Sequence, residues 1–375
     1  MAYNPIIEEF LELVKIPTHS FKEREIADVL KAKMQKIGME VIEDKTGDII
    51  GGNCGNLIGR WKGIDSIPAV LFSAHMDRVA NPGKIVPIIR EDEDRITSSG
   101  DTILAADDIS GVVSILDGIR KAKASGVPHG DVEVVFSVAE EVGLLGSKHL
   151  DVSSLRSKMA YVLDSGGPLG TLVNAAPTQY TFLIRIYGKS SHAGMAPEKG
   201  INAINVGAQA LMRLREGRLS PISTSNFGII SGGKATNIVC DYLEIKGEAR
   251  SHNEEELSLY LKEVDKVFKE TTAERGARVE IDYTLEYPLF SVKEGDPIIQ
   301  LASKVLDQLG IKAEVVQGGG GQDGNYFTQK GITAIGLATG YDYVHTEKEE
   351  QSISQLIKCG EVVAAIITEV AKINT

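Results

Sequence analysis

The sequence has few cysteines, no long apolar run and fewer basic than acidic residues, and each deficit excludes a class of protein. Its three cysteines are scattered without C-x-x-C spacing, which disfavours a disulfide framework and favours a reducing, cytoplasmic setting. No apolar run approaches about 18 residues and no basic-plus-apolar leader opens the chain, so we expect neither a membrane span nor secretion. The formal net charge of −12 disfavours nucleic acid and anionic membranes as partners, since both bind basic surfaces.

Helix and strand patterns alternate along most of the chain, and this alternation predicts the fold class. Apolar strands at Ala69–His75, Val132–Ala139 and Met159–Leu163 are separated by helical patterns. Such a rhythm predicts an α/β fold with a doubly wound, mostly parallel sheet. Because single cores stop growing at about 250–300 residues, a chain of 375 residues also predicts a second domain.

The alternation of helix and strand patterns changes near residue 177 and resumes near residue 292. The order between these points is βαββαβ, which is the ferredoxin-like pattern of a small α+β domain. We therefore expect a catalytic α/β domain at 1–176 and 292–375, interrupted by an inserted domain at 177–291. The predicted inserted elements are strands Tyr180–Tyr187, Asn226–Ile230, Val239–Arg250 and Ala277–Tyr287, and helices Gly200–Gly217 and Asn253–Gly276.

Acidic residues and histidines follow the predicted buried strands. His75 and Asp77 end one strand, Glu140 and Glu141 follow the next, and Asp164 ends a third. In an extended segment, residues two apart point the same way and neighbours diverge. We therefore expect the Asp77 carboxylate to accept the second N–H of the His75 ring, and the two glutamates to have different roles.

Two further segments complete the constellation. Asp107 and Asp108 stand at a loop-to-helix junction, where one carboxylate is enough for a helix cap, and we assign that cap to Asp108. His345 lies in the polar stretch "GYDYVHTEKEEQS" before the last helix. The carboxyl ends of parallel strands meet at one sheet edge, so these groups should converge. A ligand set of nitrogen and carboxylate oxygen without cysteine suits zinc, or else manganese or cobalt.

These five segments, in this order, resemble the zinc-dependent exopeptidase family that contains peptidase T, carboxypeptidase G and aminoacylase. The similarity covers nearly the whole chain and is closest to peptidase T-like proteins. It implies a cytoplasmic aminopeptidase that cleaves the N-terminal peptide bond of short peptides, with two Zn²⁺ per subunit. Asp at position 164 favours the branches of the family that cut di- and tripeptides.

The resemblance also assigns roles to individual residues. It implies that His75 and Asp164 hold one zinc, that Glu141 and His345 hold the other, and that Asp107 bridges them. The nucleophile would be a hydroxide shared by the metals, with Glu140 as the general base and Asp77 orienting His75. A cis peptide bond is expected between Asp107 and Asp108. Each metal would keep an open position, which is typical of catalytic sites.

In the inserted domain, the resemblance points to His192, Asn237 and Arg250. His192 would stabilise the oxyanion, often from the partner subunit of a homodimer formed through this domain. Asn237 would contact substrate, and Arg250 would hold the peptide's C-terminal carboxylate, although a strand-end salt bridge is the alternative for Arg250. Asp323 follows a glycine run that lacks the lysine of a phosphate-binding loop, and we expect it to bind a free α-amine.

Other functions remain possible on the same residues. A carboxypeptidase or an N-acyl-amino-acid deacylase would use the same metal ligands. A related group of large aminopeptidases has similar motifs but inserts a domain between the segments of His75 and Asp107, where this chain has no room. A non-catalytic peptide binder would be expected to lose Glu140 or a ligand, and this chain keeps all six.

Overall fold

The computed structural model describes residues 3–81 and 83–373, and two of its helices begin at a polar capping residue followed by proline. Asn4 accepts a hydrogen bond from the N–H of Ile6 at 3.3 Å, and Pro5 takes the first helical position. Asp296 and Pro297 repeat this arrangement at a later helix. In both places, a polar cap followed by proline starts a helix whose apolar residues are buried.

The described residues contain ten α-helices, three short 3-10 helices and eighteen strands. The helices are α1 (Pro5–Leu13), α2 (Arg24–Ile37), α3 (Thr46–Ile50), α4 (Ala106–Ser125), α5 (Leu145–His149), α6 (Ala203–Leu211), α7 (Glu254–Glu274), α8 (Pro297–Gln308), α9 (Gly324–Gln329) and α10 (Ile353–Val370). The strands are β1 (Glu40–Glu43), β2 (Leu57–Trp61), β3 (Val70–His75), β4 (Ile88–Arg90), β5 (Arg95–Thr97), β6 (Val132–Ser137), β7 (Met159–Ser165), β8 (Thr171–Ala176), β9 (Thr178–Tyr187), β10 (Gly217–Ser220), β11 (Ser223–Gly232), β12 (Tyr242–Ser251), β13 (Arg278–Tyr287), β14 (Phe290–Ser291), β15 (Glu314–Gln317), β16 (Thr333–Ala338), β17 (Tyr341–Asp342) and β18 (Glu350–Ser352).

The chain divides into two units, one formed by Met1–Ala176 with Phe290–Thr375 and the other by Pro177–Leu289. The predicted inserted domain was 177–291, whereas the second unit of the structure ends at Leu289. Within the described residues, no helix combines the length and apolar character that a membrane crossing requires.

A nine-stranded sheet forms the centre of the first unit. Its main path is β1-β2-β6-β3-β7-β16-β8-β14, and β15 pairs with β8. The four central strands β6, β3, β7 and β16 are parallel, whereas β1 and β2 on one side and β14 on the other pair in antiparallel fashion. The prediction of a mostly parallel α/β sheet is therefore confirmed. A second sheet of four short strands, β17-β18-β5-β4, is antiparallel and was not predicted.

Both faces of the central sheet are buried, as parallel sheets require. Alternate residues of the same strands enter two different cores. Phe72, Phe136 and Leu163 pack on the side of α1, α2, α4, α8 and α10, whereas Leu71 and Val135 pack on the side of α9. This double burial explains why the central strands read as continuous apolar runs instead of alternating ones.

The second unit is a five-stranded antiparallel sheet in the order β10-β11-β12-β9-β13. Ile184 and Ile186 of β9 form its core with Val206 of α6 and with Val264 and Phe268 of α7. The four long strands and two helices follow the predicted βαββαβ order.

Two predictions for the second unit were wrong in detail. The helix expected at Gly200–Gly217 is only Ala203–Leu211, because Met212 is already 88 % exposed and the chain then turns into β10. The strand β10 itself was missed, since its Gly217–Ser220 sequence carries a weak strand pattern and pairs with β11 through a tight hairpin.

Candidate metal centre and active site

The carboxyl ends of adjacent parallel strands bring the acidic and histidine side chains together. His75 is the last residue of β3 and lies opposite Ser137, the last residue of β6. Glu140 and Glu141 follow β6 directly, and Asp164 is the penultimate residue of β7, the neighbour of β3 on its other side. The convergence expected from the sequence is therefore present in the first unit.

The ring of His75 is held in the tautomer that a metal ligand needs. Its Nδ1 lies 2.8 Å from the main-chain oxygen of Asp77, which can only accept, so Nδ1 carries the hydrogen. The lone pair is then on Nε2, which lies 3.0 Å from Oδ1 of Asp107 and 3.7 Å from Oδ1 of Asp164. A metal between these atoms would be bound by one nitrogen and two carboxylate oxygens.

Asp107 presents one carboxylate oxygen to each of two histidines. Oδ1 faces Nε2 of His75 at 3.0 Å, and Oδ2 faces Nε2 of His345 at 3.3 Å. Nε2 of His345 also lies 3.1 Å from Oε1 of Glu141. The site thus has two halves that share Asp107, with His75 and Asp164 in one half and His345 and Glu141 in the other.

Glu140 and Glu141 point to different neighbours, but not for the reason predicted. Strand β6 ends at Ser137, and the left-handed Ala139, with φ of 50°, turns the chain before the two glutamates. Glu140 has an oxygen within 4.8 Å of ligand atoms of His75 and Asp164, whereas Glu141 groups with His75 and Asp107. The turn, rather than strand alternation, separates the two carboxylates.

The carboxylate of Asp77 contacts both the main chain after β6 and the His75 ring. Oδ1 accepts the N–H of Glu140 at 3.0 Å, and Oδ2 accepts the N–H of Glu141 at 3.3 Å and the hydroxyl of Ser20 at 2.6 Å. The distance from Oδ1 to Nδ1 of His75 is 3.5 Å, longer than the bond from Nδ1 to the Asp77 carbonyl. Asp77 thus contacts the His75 ring through its carbonyl and, at the longer distance, through its carboxylate, and the orienting role of that carboxylate stays a prediction.

Electrostatics at the site reflect crowded, buried carboxylates. Burial and the charge of Asp164 raise the pKa of Glu140 well above its ordinary value. Burial, together with Asp107 and Asp323, likewise raises the pKa of Asp164. Hydrogen bonds to Asp107 and Glu141 raise the pKa of His345 to about 10.

Cations would compensate this concentration of negative charge. Among the described residues, three sets of three potential ligands have their ligand atoms within 4.8 Å of one another, and all three contain His75 or Asp107. The donors are imidazole nitrogens and carboxylate oxygens, which suits zinc, manganese or cobalt. The residues present therefore fit the binding of divalent metal.

Asp108 has the capping role expected of it. Its Oδ1 accepts the N–H of Gly111 at 3.2 Å and its Oδ2 accepts the N–H of His75 at 3.1 Å, so both oxygens are engaged with the main chain. The peptide bond between Asp107 and Asp108 is cis, and this prediction is confirmed. The two adjacent aspartates therefore have different roles: Asp108 caps the helix, and Asp107 faces both histidines.

Asp323 is more buried than its predicted role suggests. The residue is 1 % exposed, and Oδ2 accepts the hydroxyl of Ser137 at 2.5 Å. Burial raises the pKa of its carboxyl, and its charge in turn raises the pKa values of Glu140 and Asp164. These contacts favour a supporting position beside the metal ligands over direct contact with a substrate amine.

His192 and Asn237 meet in the second unit. The segments of His192 and Ile238 form a β-bridge, and the carbonyl of Asn237 accepts the N–H of Ala193 at 2.9 Å. The amides of Gly194 and Met195 both donate to Nδ1 of His192 at 3.2 Å, so the ring hydrogen must lie on Nε2. The exposed His192 therefore offers an N–H donor, as an oxyanion-binding histidine would.

Arg250 is engaged by a carboxylate of its own strand. Its Nε and Nη2 donate to the two oxygens of Glu248 at 3.1 and 2.9 Å, and Glu248 also accepts from Gln179. Arg250 lines a cavity of about 180 Å³ within the second unit, together with Arg215 and Tyr260. The alternative of a strand salt bridge is thus present, and a substrate carboxylate would have to compete with Glu248.

Sequence reasoning missed two buried glutamates that hold the site's loops. Glu349 accepts the main-chain N–H groups of Leu104, Ala105 and Asp107, and Glu23 accepts that of Ala139. Neither glutamate lies in an apolar run, so the sequence pattern did not indicate that either is buried. The spacing of Glu349, four residues after His345, was the one available signal.

Comparison with known proteins supports what the geometry indicates. The model of Peptidase family M20/M25/M40 matches residues 71–369. An uncharacterised protein YqjE of Bacillus subtilis is 39 % identical over 367 residues, covering 98 % of each chain. The crystal structure of aminopeptidase PepT from Bacillus cereus is 38 % identical with a TM-score of 0.90, and that of a tripeptidase from Staphylococcus aureus is 34 % identical with a TM-score of 0.94. Each alignment covers 98 % of both chains.

The family match spans most of the chain and includes all five of the proposed metal ligands. The two structures align over nearly the full length at more than 30 % identity, so they support more than a shared fold. The predicted resemblance to peptidase T is confirmed by these relatives. The chain therefore belongs to Peptidase family M20/M25/M40, in which it is a peptidase T-like, metal-dependent hydrolase.

Proposed function

We propose that the protein is a dinuclear zinc aminopeptidase that removes the N-terminal residue of short peptides, tripeptides above all. The observation that carries this proposal is the carboxylate of Asp107, whose two oxygens face Nε2 of His75 at 3.0 Å and Nε2 of His345 at 3.3 Å. One carboxylate between two imidazoles is the arrangement that a bridging ligand of two metals requires. The similar proteins described as an aminopeptidase and a tripeptidase support the substrate class.

The proposed ligands divide into two sets around Asp107. His75 and Asp164 would complete one metal site, and Glu141 and His345 the other. Each set offers three protein ligands, which leaves a coordination position open as catalytic sites do. Two divalent ions held there would polarise the scissile carbonyl and lower the pKa of the attacking water.

Glu140 is the proposed general base. It is 8 % exposed, and burial with the charge of Asp164 raises the pKa of its carboxyl well above the ordinary value. A carboxylate at this position can take the proton of the attacking water and return it to the leaving amine. Geometry alone would also permit Glu140 to be a ligand, and the role of base rests on the family resemblance.

The remaining residues are proposed to handle the substrate. His192, with its hydrogen on Nε2, would stabilise the oxyanion in its own or the partner subunit, if the second unit serves as a lid and dimer surface. Asn237 and Arg250 would contact the peptide. Asp323 would act through its neighbours unless a substrate amine reaches its second oxygen.

Metal analysis together with a peptide panel tests this function. The purified protein should contain two zinc ions per chain, and manganese or cobalt in their place would change only the identity of the metal. Tripeptides with a free N-terminus should be cleaved, while the same peptides acetylated should not. Turnover of only blocked substrates would refute the aminopeptidase and favour a deacylase, and release of the C-terminal residue would favour a carboxypeptidase.

A further inference from the structure

The loop that leads to Asp107 depends on one distant carboxylate. Oε2 of Glu349 accepts the N–H groups of Leu104 at 2.7 Å and Ala105 at 2.9 Å, and Oε1 accepts the N–H of Asp107 at 3.0 Å. Ala105 is left-handed, with φ of 61°, so this segment is an irregular turn and not the start of a regular helix. Three main-chain donors therefore converge on one side chain 242 to 245 residues away in sequence.

Glu349 is also close in sequence to His345, the second histidine of the site. Glu349 is four residues after His345, and its own N–H donates to the carbonyl of Thr346 at 3.1 Å, which closes the turn between them. The next residue, Glu350, begins β18 and pairs with Thr97 of β5. Glu349 thus joins the loop that carries His345 to the loop that carries Asp107.

The burial of Glu349 makes these contacts hard to replace. The residue is 1 % exposed, and Leu104 and Ala105 are 0 % and 1 % exposed, so water cannot readily take the place of the carboxylate. An ionised carboxylate is an acceptor only and can serve three donors. A glutamine of the same shape would direct an NH₂ group at a main-chain N–H and leave buried donors unpaired.

We propose that Glu349 is a positioning residue that aims the two oxygens of Asp107 at His75 and His345. The inference rests on the proposed dinuclear site. Without Glu349, the turn before Asp107 relaxes and the carboxylate no longer serves both halves of the site. The half built on His345 suffers most, because both its loop and the bridging carboxylate are held by this one side chain.

Glu349→Gln is the direct test, with Glu133→Gln as its matched control. Glu133 is 0 % exposed and accepts the main-chain N–H groups of Arg156 and Ser157 at 3.0 and 2.9 Å, away from the ligand-bearing loops. The full-length holoenzyme of each variant is titrated with a zinc chelator, and kcat and KM are measured on a tripeptide at limiting and saturating zinc. Replacing a residue that orients a ligand costs about 10–100-fold in metal affinity or activity.

We expect Glu349→Gln to bind the more weakly held zinc about 10–100-fold less tightly and to lose kcat at limiting zinc, with KM unchanged. Glu133→Gln should lose thermal stability without any change in zinc affinity. Glu349→Asp, which keeps the charge on a shorter stem, should fold and regain part of the affinity; it also serves if the glutamine variant does not fold. Wild-type zinc affinity in both Glu349 variants, or an equal loss in the Glu133 control, would overturn the proposal.

The same titration separates this inference from the proposed function. If the wild-type protein binds two zinc ions but cleaves no peptide, the proposed function is refuted. The role of Glu349 can still be tested in that case, because it is measured by zinc affinity. Normal peptide cleavage with an unaffected Glu349→Gln variant refutes the positioning role alone. Wild-type protein that binds fewer than two metals overturns both.

Discussion

Glu23 should make the stability of this protein depend on pH between about 4.5 and 7. Its side chain is 0 % exposed, Oε1 accepts the N–H groups of Phe21 and Ala139 at 2.9 and 3.0 Å, and Oε2 is buried with no hydrogen-bond partner among the described residues. Burial, followed by the charge of Asp77, raises the pKa of Glu23 from its ordinary 4.5 to about 7. The folded protein therefore keeps a proton that the unfolded chain releases.

The sign and size of the effect follow from proton linkage. Between pH 4.5 and 7 the folded state binds more protons than the unfolded state, so the free energy of unfolding falls as pH rises through this window. Each pH unit is worth about 1.4 kcal/mol, and the interval from 4.5 to about 7 corresponds to about 3 kcal/mol. Below the window the contribution is fully present, and above it the contribution is lost.

Glu23→Gln removes the titrating group and keeps the shape of the side chain. Urea unfolding of wild type and variant, with chelator present, should be compared at pH 5, 6, 7 and 8. The amide carries an unpaired NH₂ that costs about 1–3 kcal/mol at every pH. The informative quantity is therefore the difference in the free energy of unfolding between the two proteins. This difference should change by about 3 kcal/mol in favour of the variant as pH rises through the window.

Glu25→Gln is the control, since Glu25 is an exposed residue of α2, the helix that Glu23 immediately precedes, and it reports the effect of losing one surface charge. Its difference from wild type should stay within about 0.5 kcal/mol, as for most surface substitutions. Parallel stability curves for wild type and Glu23→Gln across pH 5–8 would refute the reasoning, because they would show that Glu23 titrates alike in both states.

Three further predictions concern the site and the thiols. Glu140→Gln should keep both metals yet lose about 10²–10⁴-fold in kcat, whereas Glu141→Gln should lose one metal by elemental analysis; the reverse pattern would exchange the roles of base and ligand. His192→Ala should lower kcat by about 10²–10³-fold without loss of metal, and unchanged kcat would remove it from the reaction. Burial raises the pKa values of the Cys54 and Cys359 thiols to about 12, so Ellman's reagent at pH 8 should label neither until guanidinium unfolds the chain, and rapid labelling of either would contradict their burial.

Strand ends were the most predictable part of the site. His75 and Asp164 stand where apolar runs stop, and parallel strands must expose those ends together at one edge. Asp107 was identified because a helix start needs a single capping carboxylate, and Asp108 supplies it. Local chemistry and the geometry of parallel sheets are sufficient to indicate these residues.

Side chains that act on the main chain of distant segments were not predictable. Asp77 has the spacing to hold the His75 ring, yet its carboxylate accepts the amides of Glu140 and Glu141, which no periodicity reveals. Arg250 fits a substrate carboxylate by residue type, but Glu248 two residues earlier already occupies its guanidinium. Such pairings depend on which groups the folded chain brings within hydrogen-bond distance.

The sequence by itself determined the α/β class, the inserted βαββαβ segment and the identities of the groups that meet at the site, because periodicity, caps and strand ends are local properties. Only the tertiary structure decided that Asp107 faces both His75 and His345 and that the turn at Ala139 separates the two glutamates. It also decided that Glu23 and Glu349 accept main-chain hydrogen bonds from the segments of Ala139 and Asp107. The contacts of Glu23 with Ala139 and of Glu349 with Asp107 span 116 and 242 residues, and the burial that strengthens them exists only in the folded chain.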